Sequence, residues 1–419
     1  MKIVLLEWAY DDDLADEAAL LRRYETTTGW CDALRALAFR RQDVGGQPGA
    51  GDPGVPGDQG GRAARVTGAT AVIRFHRNAV VEQRGVTYHF CADGGSGRPA
   101  PFGTPSRVAE LIAQLSPDVV HVNGLGFTAQ TWRLRQKLPV SAALVVQDHA
   151  SGAPAAVVST AGHVKQLLRR RMMRAADAFL FTSVEQAEPW RAAGLIAPSQ
   201  LVASVIEASS SLTPVGMAEA RRVTGISGQP AILWVGRLNA NKDPLCVLEA
   251  FARVRVTCPA ASLTMVYRED DLLPEVRRRI ERDPRLRGGV RLVGAVAREQ
   301  MVHYFSAADI FVVGSHHEGS GYAVLEACAC GALPAVSDIP AFRRITSDGA
   351  IGRLWTPGDP HACAVALIAL LRVSGPVARA NVRAHFQRAL SWAVVARDAE
   401  AAYAQAFAAR QRRLGAGSA

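Results

Sequence analysis

Short apolar runs of strand length alternate with stretches of helix length along the whole chain, and no other feature constrains the fold as much. The pattern calls for parallel strands joined by right-handed helical crossovers. In the first half it predicts strands near residues 3–8, 71–75, 87–90, 119–122, 143–147 and 178–182, with helices near 29–40, 105–115, 126–135, 164–174 and 184–193. In the second half it predicts strands near 231–235, 262–267, 290–293, 310–313 and 333–336. A small-residue linker, Ile206-Glu207-Ala208-Ser209-Ser210-Ser211-Leu212-Thr213-Pro214, separates the halves. At 419 residues, 49% of them apolar, the chain is long enough for two cores. The expected domains are 1–207 and 208–391, followed by a closing segment, 392–419, whose end frays. Two such α/β domains leave a cleft between the carboxyl ends of their sheets, where open α/β sheets bind ligands.

Two crossovers carry the chemistry. After the run ending in Val312-Val313 comes Glu318-Gly319-Ser320-Gly321-Tyr322, and the stretch 322–330 reads as the helix that follows. Gly319 and Gly321 then stand at a strand-to-helix turn, where backbone N–H groups and the helix dipole favour an anion. Glu318 in the loop suits a polyol, and Glu326 lies about one turn into the helix, facing the same crevice. Upstream, Val235-Gly236-Arg237 leads to Lys242, and Asp243-Pro244 opens a helix as N-cap and first helical residue. A guanidinium and an ammonium at one crossover suit a diphosphate. Together the two crossovers suit a phosphorylated sugar.

These segments resemble the retaining GT-B glycosyltransferases typified by family 4. The likeness rests on Val235-Gly236-Arg237-Leu238 with Lys242, Val293-Gly294-Ala295-Val296, Ala308-Asp309-Ile310-Phe311-Val312, His317 to Tyr322, Leu325-Glu326 through Gly331, and Pro357-Gly358-Asp359. The first half matches more loosely, through Pro117-Asp118-Val119 to Gly124 and Ala176-Asp177-Ala178-Phe179. The resemblance implies an α/β GT-B fold: two Rossmann-like domains with parallel sheets facing across a cleft, and a final helix, from about 392 to 407, crossing back to the first domain. It implies transfer of a sugar from a nucleotide-diphosphate sugar to a saccharide, lipid-linked or small-molecule hydroxyl by a front-face, retaining route. Arg237 and Lys242 would hold the diphosphate, Glu318 the sugar hydroxyls, the N–H groups from Gly319, Ser320, Gly321 and Tyr322 the sugar and phosphate, and Glu326 the ribose. Val296 would lie beside the base or serve as an ordinary core valine. His149, after a strand, resembles the histidine that approaches the sugar, with His121 and Asn123 supporting it.

The chain departs from the family where a Gly-Gly loop is common after the first strand. It has Ala9-Tyr10-Asp11-Asp12-Asp13 there, and the next helix is expected to be entered through Thr26 to Trp30, with Thr28 and Gly29 supplying contacts. The segment Met265 to Glu269 also lacks the usual glycines. Two other readings of the fold stay open: a nucleotide-sugar epimerase and a non-catalytic nucleotide-sugar-binding subunit.

The remaining sequence sets bounds. The seven cysteines show no paired spacing, and Cys328 and Cys330 read as small core residues, so a reducing cytoplasm is expected. The histidines lack metal-ligand spacing; no metal and no cofactor beyond the donor substrate are expected. The start, Met1 to Trp8, reads as a first strand rather than a signal peptide. Residues 44–62 are dominated by Gly and Pro and are expected to form a disordered surface loop, not a phosphate loop. The net charge is +10, densest from His163 to Arg174. That stretch is either a basic patch for an acidic membrane, which would put the protein at the inner face, or a solvated helix face. Nucleic acid is not an expected partner, because no aromatics interleave with the cations.

Overall fold

A computed structural model of the protein describes residues 1–8, 14, 16–43, 64–92, 106–149, 152–154 and 159–416. The Gly/Pro segment at 44–62, the acidic stretch at 9–13, the first residue of the helix expected near 105–115 and the last residues of the expected frayed tail, 417–419, lie outside the described residues. The chain divides into two compact units, Met1–Ala208 with Val395–Ala419, and Ser209–Val394. Each is a Rossmann-like α/β unit, the two-domain content that the GT-B resemblance implies.

The first unit holds β1 (Lys2–Glu7), β2 (Gly68–Phe75), β3 (Ala79–Gln83), β4 (Val86–Ala92), β5 (Val119–Asn123), β6 (Ala143–Gln147), β7 (Ala178–Phe181) and β8 (Leu201–Ser204). Their order in the sheet is β3-β4-β2-β1-β5-β6-β7-β8. The second unit holds β9 (Ala231–Gly236), β10 (Ser262–Tyr267), β11 (Val290–Gly294), β12 (Ile310–Val313), β13 (Leu333–Ser337) and β14 (Arg353–Trp355), in the order β11-β10-β9-β12-β13-β14. Every pairing is parallel except β3 with β4. That antiparallel edge adds a hairpin to the parallel sheet expected. Arg84 and Gly85 both have positive φ, so a two-residue turn closes the hairpin without the Asn-Gly pair that would have announced it. The short edge strands β8 and β14 also escaped the periodicity.

A second correction concerns Thr26 to Trp30. The helix spans Glu25–Asp43, so these residues sit inside its first turns, and Thr28 Oγ1 bonds back to the Tyr24 and Glu25 carbonyls at 3.4 and 3.3 Å. The helix Tyr322–Cys330 and the N-cap Asp243, which accepts from Cys246 N at 3.2 Å, are as the sequence implies.

Three aspartates in the family-like segments have a structural job. Asp118, Asp177 and Asp309 each precede a strand and take a backbone N–H from the first or second residue of a neighbouring one: Lys2 N at 2.7 Å, Leu144 N at 2.8 Å and Ala231 N at 2.8 Å. Their own N–H groups return bonds to Lys2 O, Leu144 O and Ala231 O. These paired bonds lock the register of the central strands at their amino ends, where a one-residue slip would turn the core side chains outward.

The sheet order reverses twice, between β1 and β5 and between β9 and β12. At each reversal the connecting helices leave toward opposite faces, opening a crevice beyond the strands' carboxyl ends. The final helix, Trp392–Ala416, is fastened to the first unit. Its Tyr403 hydroxyl accepts from Trp30 Nε1 at 2.9 Å, Glu400 accepts from Val66 N at 2.8 Å, and Arg413 pairs with buried Asp177 at 3.0 Å.

Candidate functional site

In the second unit the reversal between β9 and β12 brings together the two loops singled out in the sequence. Asn241 ties them: its Nδ2 donates to His317 O at 3.0 Å, its Oδ1 accepts from His317 N at 3.0 Å, and its carbonyl accepts from His316 N at 2.9 Å. His316 Nε2 meets Asp243 Oδ2 at 3.1 Å. The loops press closely at Gly314, where a Cβ would lie 3.0 Å from the Trp355 ring and 3.4 Å from the Asp243 carbonyl. This bolting places Lys242 Nζ on Glu318 Oε1, which also accepts from Ser315 Oγ at 2.5 Å. Lys242 and Glu318 are largely buried, at 16% and 12% side-chain exposure, so this is a shielded ion pair.

Arg237 behaves differently. Its side chain is 54% exposed and lies 3.7 Å from Glu269, a surface pairing of small energetic weight. Val296 is half-buried in the segment after β11, rather than a core valine.

The turn from Glu318 enters its helix through Gly321, whose φ of +68° is left-handed and whose added Cβ would collide with the Phe342 ring. Only glycine satisfies both conditions. Ser320 is fully buried beneath the turn, and Tyr322 is exposed beside it. Along the helix, Glu326 is 5% exposed, and its carboxylate is paired with Arg298. Sequence reasoning missed Arg298. The one available signal was a cation in the segment after β11. Cys328 and Cys330 lie inside this helix, where burial pushes their thiols up to about 12 and about 11; they are core residues, not nucleophiles.

In the first unit the central strands β1, β5 and β6 end in register on Glu7, Asn123 and Gln147. Asn123 Nδ2 donates to Glu7 Oε2 at 3.2 Å. His149 follows two residues after β6, with Nδ1 at 2.9 Å from Glu207 Oε2. Burial alone would lower the His149 pKa, but Glu207, by charge and hydrogen bond, and then Glu7 and Asp148 outweigh it and hold it at about 9. His149 is therefore an imidazolium at neutral pH. Its Nε2 has no hydrogen-bond partner among the described residues.

His121 is the opposite case. Fully buried, and close to the charged His149, it is pushed down to about 3 and stays neutral. The Tyr403 hydroxyl accepts from Trp30 Nε1 and lies 2.5 Å from His121 Nδ1, a hydrogen bond whose direction depends on the imidazole tautomer. His121 thus belongs to the fastening of the last helix. Glu207, like Arg298, carries no mark of a site residue in the sequence, where it lies in the small-residue linker.

Among the described residues no group of three or more His, Cys, Asp or Glu is placed to hold a metal ion.

Residues 229–373 match the family described as glycosyl transferases group 1, and residues 55–204 match the glycosyl transferase 4-like domain. The chain is 28% identical to a GDP-mannose:cellobiosyl-diphosphopolyprenol alpha-mannosyltransferase of Xanthomonas campestris, over 70% of this chain and 73% of that one. It is 31% identical to a D-inositol 3-phosphate glycosyltransferase of Geodermatophilus obscurus over 46% of this chain, which spans only 44% of that protein's length. In three dimensions it resembles sucrose-phosphate synthase from Thermosynechococcus elongatus, with a TM-score of 0.64 over 97% of this chain and 99% of the other, at 20% identity.

Proposed function

We propose that this chain, a member of the GT-B-fold glycosyltransferase superfamily related to glycosyl transferase 4-like domains, moves a sugar from a nucleotide-diphosphate sugar to an acceptor hydroxyl with retention of configuration. The observation that carries this reading is the bolted pair of loops at the β9/β12 reversal, which sets Lys242, Glu318 and Ser315 beside a glycine-entered helix containing Glu326. In this reading Lys242 and Arg237 neutralise the departing diphosphate, a term that grows as the bond to the sugar breaks. Glu318 accepts from sugar hydroxyls, and Glu326 accepts from the ribose in exchange for Arg298. His149 donates from Nε2 to a sugar oxygen. The anomeric carbon loses its bond to the diphosphate oxygen and gains one to the acceptor oxygen on the same face, and the acceptor proton passes to the leaving phosphate. Two side-chain cations take the place of a metal at the diphosphate. The acceptor is a saccharide, a lipid-linked sugar or a small molecule, met in the cytoplasm or at the inner membrane face.

Calorimetry with UDP, GDP, ADP and TDP in the presence of EDTA tests the reading. One nucleotide should bind selectively, and Glu326→Gln and Arg237→Ala should each weaken it, Glu326→Gln by about 1.5–3 kcal/mol, or roughly 10- to 150-fold. No binding by the intact protein, or an unchanged constant in Glu326→Gln, contradicts it. A second reading, a nucleotide-sugar epimerase of the same fold, draws on the buried carboxylates Glu7, Asp148 and Glu207 around His149. Turnover of donor with acceptor omitted, yielding an epimer and no free nucleotide, would favour it. Any turnover excludes a purely binding subunit.

A further inference from the structure

The helix Thr160–Met173 is inverted relative to an ordinary surface helix. Its inward side is held by polar and cationic groups: Gln166 Nε2 donates to Ala193 O at 3.1 Å, Arg170 Nη2 donates to the same carbonyl at 2.7 Å, and Arg169 lies over the Trp190 ring at 4.9 Å. Its outward side carries Val164, Leu167 and Leu168, exposed by 55%, 60% and 48%. With Arg171 they stand at i, i+3, i+4 and i+7, one continuous face. Met172 and Met173 turn inward, which is why the sequence shows no single apolar stripe.

The charge along this segment has one sign. From His149 to Ala176 the chain has Lys165, Arg169, Arg170, Arg171 and Arg174 and no carboxylate. A solvated helix face has no use for three exposed branched side chains in a row of cations. A partner that is apolar beneath and anionic at its surface satisfies both. Among the described residues no single helix is long and apolar enough to cross a membrane.

We propose that the Val164, Leu167, Leu168 and Arg171 face docks the protein on an anionic lipid bilayer. The helix follows β6 and His149 in the chain, so its amino end lies at the same carboxyl edge of the sheet as His149 and Glu7. Docking there brings that edge to the bilayer surface, where a lipid-linked acceptor presents its head group. The acceptor part rests on the transferase reading; the docking does not.

The test is flotation of the full chain with vesicles of phosphatidylcholine alone and of phosphatidylcholine mixed with phosphatidylglycerol. The expected result is binding to the mixed vesicles only, weakened by salt. Leu167→Asp/Leu168→Asp should lower partitioning by at least ~10-fold. Lys165→Glu/Arg171→Glu should do the same and flatten the salt dependence, while circular dichroism melting and nucleotide binding stay unchanged in both. Failure to bind mixed vesicles, equal binding by both variants, or a wild-type dimer dissolved by the leucine substitutions overturns the docking. Nucleotide binding without vesicle binding sinks this inference alone and leaves the transferase reading standing.

Discussion

Replacing Glu207 by glutamine keeps the shape of the His149–Glu207 contact and removes its charge. The imidazolium preference in the folded chain, from an ordinary 6.5 to about 9, corresponds to about 3 kcal/mol. Burial opposes it, and Glu207 is the largest influence raising it, ahead of Glu7 and Asp148. Without that charge, burial should bring His149 to its ordinary value or below, so that it is neutral at pH 8. The linkage follows. A histidine whose folded pKa is raised stabilises fully below about 6.5, and that stability is lost as pH rises through about 9. Wild-type protein should therefore lose up to about 3 kcal/mol from this group across that window, and Glu207→Gln should show little such slope. Histidine-selective NMR titration, with His149→Asn to identify the resonance among ten histidines, reads the pKa directly. Denaturant unfolding at pH 6, 7.5 and 9 reads the linkage. A wild-type His149 titrating near 6.5, or a Glu207→Gln protein still charged at pH 8, would refute the reasoning.

Two further perturbations test the framework of the site. Gly321→Ala forces a left-handed residue to carry a Cβ against Phe342 and should cost about 1–3 kcal/mol, read as a lowered unfolding midpoint, with nucleotide affinity lost in parallel. A wild-type midpoint would mean that the turn relaxes freely. Tyr403→Phe removes the hydroxyl shared by Trp30 and His121 and leaves a buried indole N–H unpaired, at about 1–3 kcal/mol. Hydrogen exchange should then quicken along residues 395–416; unchanged protection would show that the helix is held by its other contacts.

Period and local chemistry were enough to read much of this protein. The apolar runs named the central strands, Asp243-Pro244 announced a helix start, and Glu318 through Glu326 identified one loop and the helix after it. These signals are local, because strand and helix periods and capping bonds act over a few residues. Even the aspartates before β5, β7 and β12 were visible as a pattern, although their work as register clamps was not.

Tertiary structure alone decided who meets whom. Arg298 reaches Glu326 across 28 residues, and Trp30 shares a hydroxyl with Tyr403 across 373. Lys242, assigned to a diphosphate, proved to be joined to Glu318, and Arg237 to Glu269. The charge on His149 came from Glu207, a residue that sequence marks only as linker. The Lys242–Glu318 pair depends on β9 and β12 lying side by side where the sheet order reverses, and the others on the strand order and helix packing around it. That order is set by how the crossovers pack over the whole sheet, and no window of neighbouring residues contains it.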